Sequence, residues 1–186
     1  MIWRNKNKSD KVTSDMMSKQ KRYEALVHAW HADIFRYAYW LIKDKSIAED
    51  VVQETFLRAW KSLDSLQDEK AAKSWLITIL RRENARRFER KQFDLTDIDD
   101  VSVADEIQIS HEQGLQHREL HKHIGALATE YREPLILQAI FGLSGEEIAT
   151  QLDLNKNTVM TRLFRARNQL KEALEHSNEM IGSKNG

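Results

Sequence analysis

The 186-residue sequence contains no cysteine, one proline and six glycines. Without cysteine the chain can form no disulfide, no thiolate metal site and no cysteine nucleophile. The scarcity of proline and glycine, with little β-branched alternation, favours helix along nearly the whole chain. The sequence has no apolar run of about 18 residues and opens on the polar stretch MIWRNKNKSDK. We therefore expect an all-α cytoplasmic protein that does not insert into a membrane.

Charge is balanced over the whole chain but divided into blocks. The 29 basic and 29 acidic residues sum to zero. Residues 1–22 and residues 73–91 each hold seven basic side chains against two acidic ones. Residues 94–112 hold seven carboxylates and no Lys or Arg. A binding partner responds to these local blocks rather than to the net charge, so the sequence is compatible with an anionic partner.

Apolar residues recur at helical spacing in the first half of the chain. A stripe from Tyr23 to Leu41 predicts one long helix. A second helix is expected to begin at Ser46, because "SIAE" has the form of a capping box with Glu49. In a third helix we assign Trp75 to the buried core rather than to base stacking. The apolar face predicted for this third helix is Ala72, Trp75, Leu76 and Ile79.

The acidic block at residues 94–112 shows no helical stripe and has the composition of a mobile connector. We therefore place a domain boundary there. The predicted fold is two small helical domains joined by a flexible acidic linker. The predicted ranges are a basic N-terminal tail at 1–18, a first domain at 19–93, the linker at 94–112, a second domain at 113–178 and a C-terminal tail at 179–186.

The second domain contains the pattern of a helix-turn-helix. Pro134 is expected in the first turn of a helix that Gly142 ends. "SGEE", starting at Ser144, has the form of a capping box that opens a short helix. Asp153 then turns the chain, and Asn155 is expected to cap the following helix. Two short helices joined by so tight a turn predict a helix-turn-helix.

The last helix is basic on its outward side. Residues 156–171 hold five Lys or Arg and no acid. In a helix-turn-helix the second helix enters the major groove, where acids would repel the phosphates. The alternative, a solvated amphipathic helix, is disfavoured because cap, turn and charge agree. With Val159, Leu163 and Ala166 turned inward, the candidates for DNA contact are Lys156, Asn157, Thr158, Met160, Thr161, Arg162 and Arg165.

Two segments carry a resemblance to a known family. "LSGEEIATQLDLNKNTVMTRLFRARNQL", residues 143–170, resembles the C-terminal promoter-binding domain of bacterial sigma factors. "AEDVVQETFLRAW" followed by "KSWLITILRRENARRFERK" resembles their promoter-melting domain. The chain length makes it similar to the extracytoplasmic-function (ECF) group of the sigma-70 family, which keeps only these two domains. The resemblance implies a factor that binds core RNA polymerase and directs initiation at minus-10 and minus-35 promoter elements; an anti-sigma partner stays open.

The resemblance also implies where each partner is bound. Core-polymerase binding falls on the outward face of the "DVVQETF" helix, at Asp50, Gln53, Glu54 and Arg58. The loop "DSLQDEK" would capture an extruded minus-10 base, while cations beside it attract the phosphates. The residues implied are Asp64, Ser65, Gln67 and Asp68 for the base and Lys73, Arg81, Arg82, Arg86 and Arg87 for the phosphates. The acidic linker either mimics nucleic acid in the polymerase channels or only solubilises the chain.

Two other classes of protein are alternatives at this point. A stand-alone helix-turn-helix regulator would use its first helices to dimerise or sense a ligand, and would not bind core polymerase. A metal sensor would use the histidines at 111, 117, 121 and 123, but without cysteine or a carboxylate at ligand spacing we expect no metal. No phosphate-binding glycine loop, nucleophile elbow or catalytic carboxylate pair occurs, so we expect no enzymatic activity and no cofactor.

Overall fold

The computed structural model describes the backbone of residues 6–94 and 115–182, and the side chains of residues 15–90 and 119–176. Within these ranges the chain forms helices and turns but no strand, which confirms the all-α prediction. Among the described residues, none of the helices contains the 18-residue apolar segment that a membrane span requires. The helices are α1 (Lys6–Ile42), α2 (Lys45–Ser62), α3 (Ala72–Asp94), α4 (Leu115–Ala126), α5 (Thr129–Phe141), α6 (Gly145–Leu152) and α7 (Lys156–Gly182).

The chain divides into two compact units. The first comprises Met1–Phe35 and Glu49–Asp97, and the second comprises Arg36–Ala48 and Ile98–Gly186. Residues 36–48, predicted in the first domain, therefore pack within the second unit. Of the predicted N-terminal tail, residues 6–18 are helical. The predicted acidic linker lies outside the described residues, apart from Asp94 at the end of α3.

The core of the first unit is formed by α1, α2 and α3. Leu26 and Ile34 of α1 are buried, as are Val52 of α2 and Leu76 of α3. The buried hydroxyl of Thr55 donates to the carbonyl of Val51 at 2.7 Å, which satisfies its hydrogen bonding without a partner from another helix.

The start of α2 corrects the sequence prediction. Asp44, not Ser46, caps the helix, because Asp44 Oδ1 accepts a hydrogen bond from the Ile47 amide at 2.9 Å. Lys43, in the left-handed region with φ 60°, reverses the chain just before this cap. Two residues able to cap a helix lie two positions apart here, and the backbone turn at Lys43 selects the first.

The buried face of α3 is also rotated from the prediction. Ile77 and Leu80 are fully buried, whereas Trp75 and Ile79, which we expected in the core, are only half-buried. The apolar run "WLITIL" fits two neighbouring stripes of a helix, so the packing partners decide which stripe is buried. The assignment of Trp75 to the core was therefore wrong.

The second unit contains the helix-turn-helix. The side chains of Leu137, Ile148, Val159 and Leu163 are buried where α5, α6 and α7 pack together. From residues 36–48, Tyr37 adds a buried ring that meets Phe141 edge-on, with centroids 5.9 Å apart. These contacts hold α7 by one face and leave its other face to solvent.

The position of Pro134 differs from the prediction. Ala128 is the N-cap of α5, so the helix begins at Thr129 and Pro134 lies inside it, in the second turn rather than the first. A proline there cannot donate to the Glu130 carbonyl, so this helical hydrogen bond is lost. Gly142 ends α5 with φ 64°, as predicted.

Candidate nucleic-acid interface

Local capping sets the start and direction of α6 and α7. Ser144 and Glu147 form the predicted capping box at α6, with the Ser144 amide donating to Glu147 Oε2 at 2.8 Å. Asp153 ends α6 in the left-handed conformation at φ 54°. Asn155 Oδ1 then accepts from the Thr158 amide at 2.7 Å, which confirms the predicted cap of α7.

The inward face of α7 agrees with the prediction. Val159, Leu163 and Ala166 are almost completely buried, so the residues between them point away from the core. Of the seven minus-35 candidates, five are exposed and two are half-buried. The exposed ones are Lys156, Asn157, Met160, Thr161 and Arg165, and the half-buried ones are Thr158 and Arg162.

An open groove of about 410 Å³ runs along α7 beside the first turn of α5. Five of its eight lining residues are minus-35 candidates: Asn157, Thr158, Thr161, Arg162 and Arg165. The others are Asn155, the cap of α7, and Glu130 and Tyr131 from α5. The groove therefore places α5 residues against the outward face of α7, which sequence reasoning did not anticipate.

Acids from other helices lie against the cations of α7. Glu130 Oε2 is 3.8 Å from Arg162 Nη2. The carboxylate of Glu146, in the first turn of α6, accepts a hydrogen bond from the Lys156 ammonium. This hydrogen bond, reinforced by the charge of Lys156, lowers the pKa of the Glu146 carboxyl. The positive charge of residues 156–171, which include no acid, is thus partly offset by carboxylates from the neighbouring helices.

Arg165 has a different kind of partner. Its Nη1 lies 3.4 Å from the Tyr131 hydroxyl, a long contact to a neutral group. The guanidinium of Arg162 therefore lies closer to a carboxylate than that of Arg165 does. A phosphate or a base edge would meet a different electrostatic setting at each of these two arginines.

Two apolar side chains lie on the exposed side of α7. Phe164 is 63% exposed, and sequence reasoning missed it as a contact residue. Met160 is 48% exposed and lies over Gly145, where an added Cβ would stand 2.9 Å from the Met160 sulfur. Large exposed apolar side chains on a helix surface are informative, and a phenylalanine between buried Leu163 and polar Arg165 was the signal available in the sequence.

The candidate polymerase-binding face lies on α2, in the first unit. Asp50 and Gln53 are exposed, and Glu54 is half-buried. Arg58 is 3.0 Å from Glu54 and 3.5 Å from the buried Glu83 of α3, so its guanidinium joins α2 to α3. Leu57, which the sequence analysis did not single out, is 53% exposed.

The minus-10 loop consists of two 3₁₀ turns, Leu63–Ser65 and Glu69–Ala71. Arg22 of α1 holds it by donating to the Leu66 carbonyl at 2.9 Å and to Glu69 at 2.9 Å. Three of the four predicted base-contacting side chains have intrachain partners, and all four are exposed. Asp64 pairs with Lys19, Ser65 donates to the Ser62 carbonyl, and Asp68 accepts from the Lys70 amide. Gln67 is the fourth of these exposed side chains.

The predicted phosphate-binding cations of the first unit follow one another along α3. Lys73, Arg81 and Arg87 are half-buried, while Arg82 and Arg86 are exposed. Arg86 Nη1 is 2.6 Å from Glu83, so part of its charge is neutralised within the unit. Arg87 lies over the ring of Phe88, a residue that is 52% exposed.

Of the four histidines considered as metal ligands, the structure describes the side chains of His121 and His123. His121 stacks on Trp40 with ring centroids 5.3 Å apart. The side chains of His111 and His117 lie outside the described residues. Over the part of the chain that the structure describes, no group of three or more His, Asp or Glu side chains could hold a metal ion.

Both units match known proteins. Residues 26–93 match the family model of sigma-70 region 2, and residues 117–170 match that of sigma-70 region 4. The chain is 34% identical over 134 residues to RNA polymerase sigma factor SigV of Bacillus subtilis, covering 72% of this chain and 80% of SigV. It is 31% identical over 193 residues to the ECF RNA polymerase sigma factor SigE of Mycolicibacterium smegmatis, covering 94% of this chain and 73% of that protein.

A solved structure extends this similarity to the fold. The sigma factor RpoE of Bartonella quintana, in complex with the anti-sigma factor NepR, superposes with a TM-score of 0.69 at 29% identity. The match covers 84% of this chain and 96% of that protein.

Proposed function

The chain belongs to the ECF group of sigma-70 family RNA polymerase sigma factors, and on that premise we propose that three of its helical surfaces divide promoter and polymerase binding between them. As a sigma factor it binds core RNA polymerase and directs promoter-specific initiation. We propose which residues perform these functions. The main observation behind the proposal is that α7 has one buried face and one exposed face. The stand-alone regulator is not favoured, because region 2 is present beside region 4.

We assign minus-35 recognition to the outward face of α7. Thr161 and Arg165 are proposed to reach base edges, where an arginine can bond guanine with two nitrogens. Lys156 and Arg162 are proposed to hold phosphates, since they flank this face. Phe164 offers the apolar contact that the methyl group of thymine requires. This division follows from exposure, charge and position on the helix.

The remaining candidates, Asn157, Thr158 and Met160, lie on the N-terminal turns of α7, closest to the turn of the motif. In helix-turn-helix proteins this end of the second helix meets the base edges. Asn157 and Thr158 line the groove beside α5, while Met160 lies on the α6 side over Gly145. We therefore assign Asn157, Thr158 and Met160 to contacts with bases at the two ends of the minus-35 element.

Minus-10 recognition is assigned to the loop between α2 and α3 together with α3. The loop presents exposed polar groups able to bond an unpaired base, and α3 supplies cations for the backbone. Arg22 anchors the loop from α1, so its polar groups are held in place before DNA arrives. Gln67, exposed at the centre of the loop, is the side chain we place nearest the captured base.

Core polymerase is assigned to the outward face of α2. Asp50, Gln53 and Glu54 provide polar contacts, and Leu57 stands exposed among them as an apolar anchor. Interfaces commonly centre on such a side chain, surrounded by polar groups. Arg58 links this face of α2 to α3 through its ion pair with Glu83.

The proposal extends to partners and location. A relative of similar fold is known in complex with an anti-sigma factor, and we propose that a protein of this class also binds this chain. We also propose a cytoplasmic location, because core polymerase and promoter DNA, on which a sigma factor acts, are found there. Its role as an initiation factor needs no catalytic group or cofactor of its own.

The experiment that tests the α7 assignment compares Arg165→Ala with the wild-type chain on duplexes carrying single base changes in the minus-35 element, at two salt concentrations. If Arg165 reads a base, the substitution costs about 1 to 3 kcal/mol on the preferred sequence and flattens the preference at one position. If it holds a phosphate, all sequences weaken together and the salt slope falls by about one. Wild-type affinity on every duplex would refute this orientation of α7.

A further inference from the structure

The two cations of α7 that we assign to DNA phosphates, Lys156 and Arg162, are already paired inside the protein. Residues 156–171 contain no acid, yet Glu130 lies 3.8 Å from Arg162, and Glu146 is hydrogen bonded to Lys156. These two carboxylates come from α5 and α6, not from α7. Arg165, assigned to a base edge, instead meets the neutral hydroxyl of Tyr131. Carboxylates therefore lie against the two α7 cations assigned to phosphates, and a hydroxyl lies against the arginine assigned to a base edge.

Helix electrostatics explain part of this arrangement. Glu130 and Glu146 occupy the first turns of α5 and α6, where the helix dipole favours a negative charge. The dipole does not explain why each carboxylate lies against a cation of α7. In the pair of Arg162 with Glu130, the arginine is the more buried partner. Its side chain is 27% exposed, whereas the side chain of Glu130 is 51% exposed.

Such pairs are weak enough for DNA to open them. An exposed ion pair in water gains little free energy, because solvent screens both charges. A phosphate oxygen can therefore take the place of a carboxylate oxygen at Arg162 or Lys156. The displaced carboxylate then faces the DNA backbone, and its charge opposes that of the phosphates.

We propose that Glu130 and Glu146 compete with DNA phosphates for Arg162 and Lys156, and so lower the affinity of the recognition unit for DNA of any sequence. The inference rests on the proposed assignment of Arg162 and Lys156 to phosphates. Affinity then depends more heavily on base contacts, because the sequence-independent term is reduced. The two acids thus weaken the phosphate contacts of every sequence alike, although they contact no base.

The salt dependence of binding gives this competition a measurable form. Each phosphate neutralised by a free cation adds about 0.9 to the slope of log affinity against log salt concentration. A cation that arrives already paired with a carboxylate contributes less, since the net charge brought to the phosphate is smaller. Removing one carboxylate should therefore steepen the slope by up to about one.

The test uses the full-length chain and two labelled duplexes. One carries a minus-35 element selected from a randomised library by the reconstituted holoenzyme, and the other is its scrambled counterpart. Dissociation constants are measured for wild type and Glu130→Gln over a range of salt concentrations. We expect Glu130→Gln to tighten binding of both duplexes by roughly two- to fivefold at low salt, the range of an exposed ion pair, with a steeper slope. Glu146→Gln should act in the same direction.

Glu175→Gln is the matched control. Glu175 forms an exposed pair with Lys171 at the same 3.8 Å separation, and its removal changes the net charge by the same amount. Neither residue lines the groove beside α5. Glu175→Gln should therefore leave both dissociation constants close to those of the wild type, and thermal melts should show all these variants folded.

A double-mutant cycle separates competition from simple repulsion. In an Arg162→Ala background, Glu130→Gln should have a much smaller effect, because the cation for which the carboxylate competes is gone and only its repulsion of the phosphates remains. If Glu130→Gln tightens binding equally in both backgrounds, or has no more effect than Glu175→Gln, this inference is wrong while the phosphate assignments stand. If Arg162→Ala and Lys156→Ala leave DNA binding unchanged, the phosphate assignments fail, and the inference fails with them.

Discussion

Arg132 is a buried guanidinium that ties residues 36–48 to α4 and α5 within the second unit. It is 4% exposed. Its Nε donates to the Trp40 carbonyl at 3.0 Å, and Nη1 donates to the Leu127 carbonyl at 2.7 Å. A further bond from Nη1 reaches the Gly125 carbonyl at 3.2 Å, and Nη2 bonds Thr129 Oγ1 at 3.1 Å. Burial lowers the pKa of Arg132, against the opposing charge of Glu133.

The expected cost of losing this side chain follows from its hydrogen bonds. Each of the four contributes about 1 kcal/mol net, so Arg132→Met, which keeps the packing of the stem, should destabilise the second unit by roughly 3 to 4 kcal/mol. Arg132→Lys keeps the charge but has one nitrogen in place of three, and should recover about half. Urea unfolding and hydrogen exchange of the α5 amides measure the effect within this unit, since the chain need not unfold as one cooperative body.

Substitution of exposed Arg90 provides the control, because surface changes away from such features stay within about 0.5 kcal/mol. If the free energies of unfolding of Arg132→Met and Arg132→Lys both lie within about 0.5 kcal/mol of the wild-type value, the four hydrogen bonds contribute no net stability and this prediction is wrong.

Three further predictions test the other surfaces. Changing Asp50, Gln53 and Glu54 together to Ala should weaken binding to core polymerase while circular dichroism shows unchanged helicity; an unaltered fluorescence titration would remove α2 from the interface. Leu163→Ala should destabilise the second unit by roughly 2 to 5 kcal/mol and reduce DNA binding only through unfolding, so wild-type melting would contradict its core position. Phe164→Ala should leave melting unchanged and reduce the preference for thymine at one position of the minus-35 element, and an unchanged preference would show that its ring contacts no base.

The helix-turn-helix was predictable because its signals are local. The capping box at Ser144, the cap at Asn155 and the left-handed turn at Asp153 each involve residues within a few positions of one another. Their chemistry depends on the backbone of one turn and not on distant packing. The sequence therefore predicted the limits of α6 and the start of α7.

Features that depend on packing or on distant residues were not predictable. The buried face of α3 depends on which helices it meets. The cap at Asp44 is local, but two capping residues compete within three positions, and only the backbone conformation of Lys43 decides between them. The start of α5 at Thr129 moved Pro134 into the second turn. At the candidate site, the pairing of Glu130 with Arg162 joins residues of different helices, which neither charge count nor periodicity can bring together.

The most direct test of the account is transcription by core RNA polymerase with the purified chain added. Templates carry either a promoter selected from a randomised library by the holoenzyme or the same promoter with its minus-35 element scrambled, and initiation is mapped at nucleotide resolution. We predict initiation at one defined position that depends on the chain and is strongly reduced by the scrambled element and by Arg165→Ala. Initiation that is independent of the chain, or DNA binding by the chain with no gain in initiation, would contradict its role as a sigma factor.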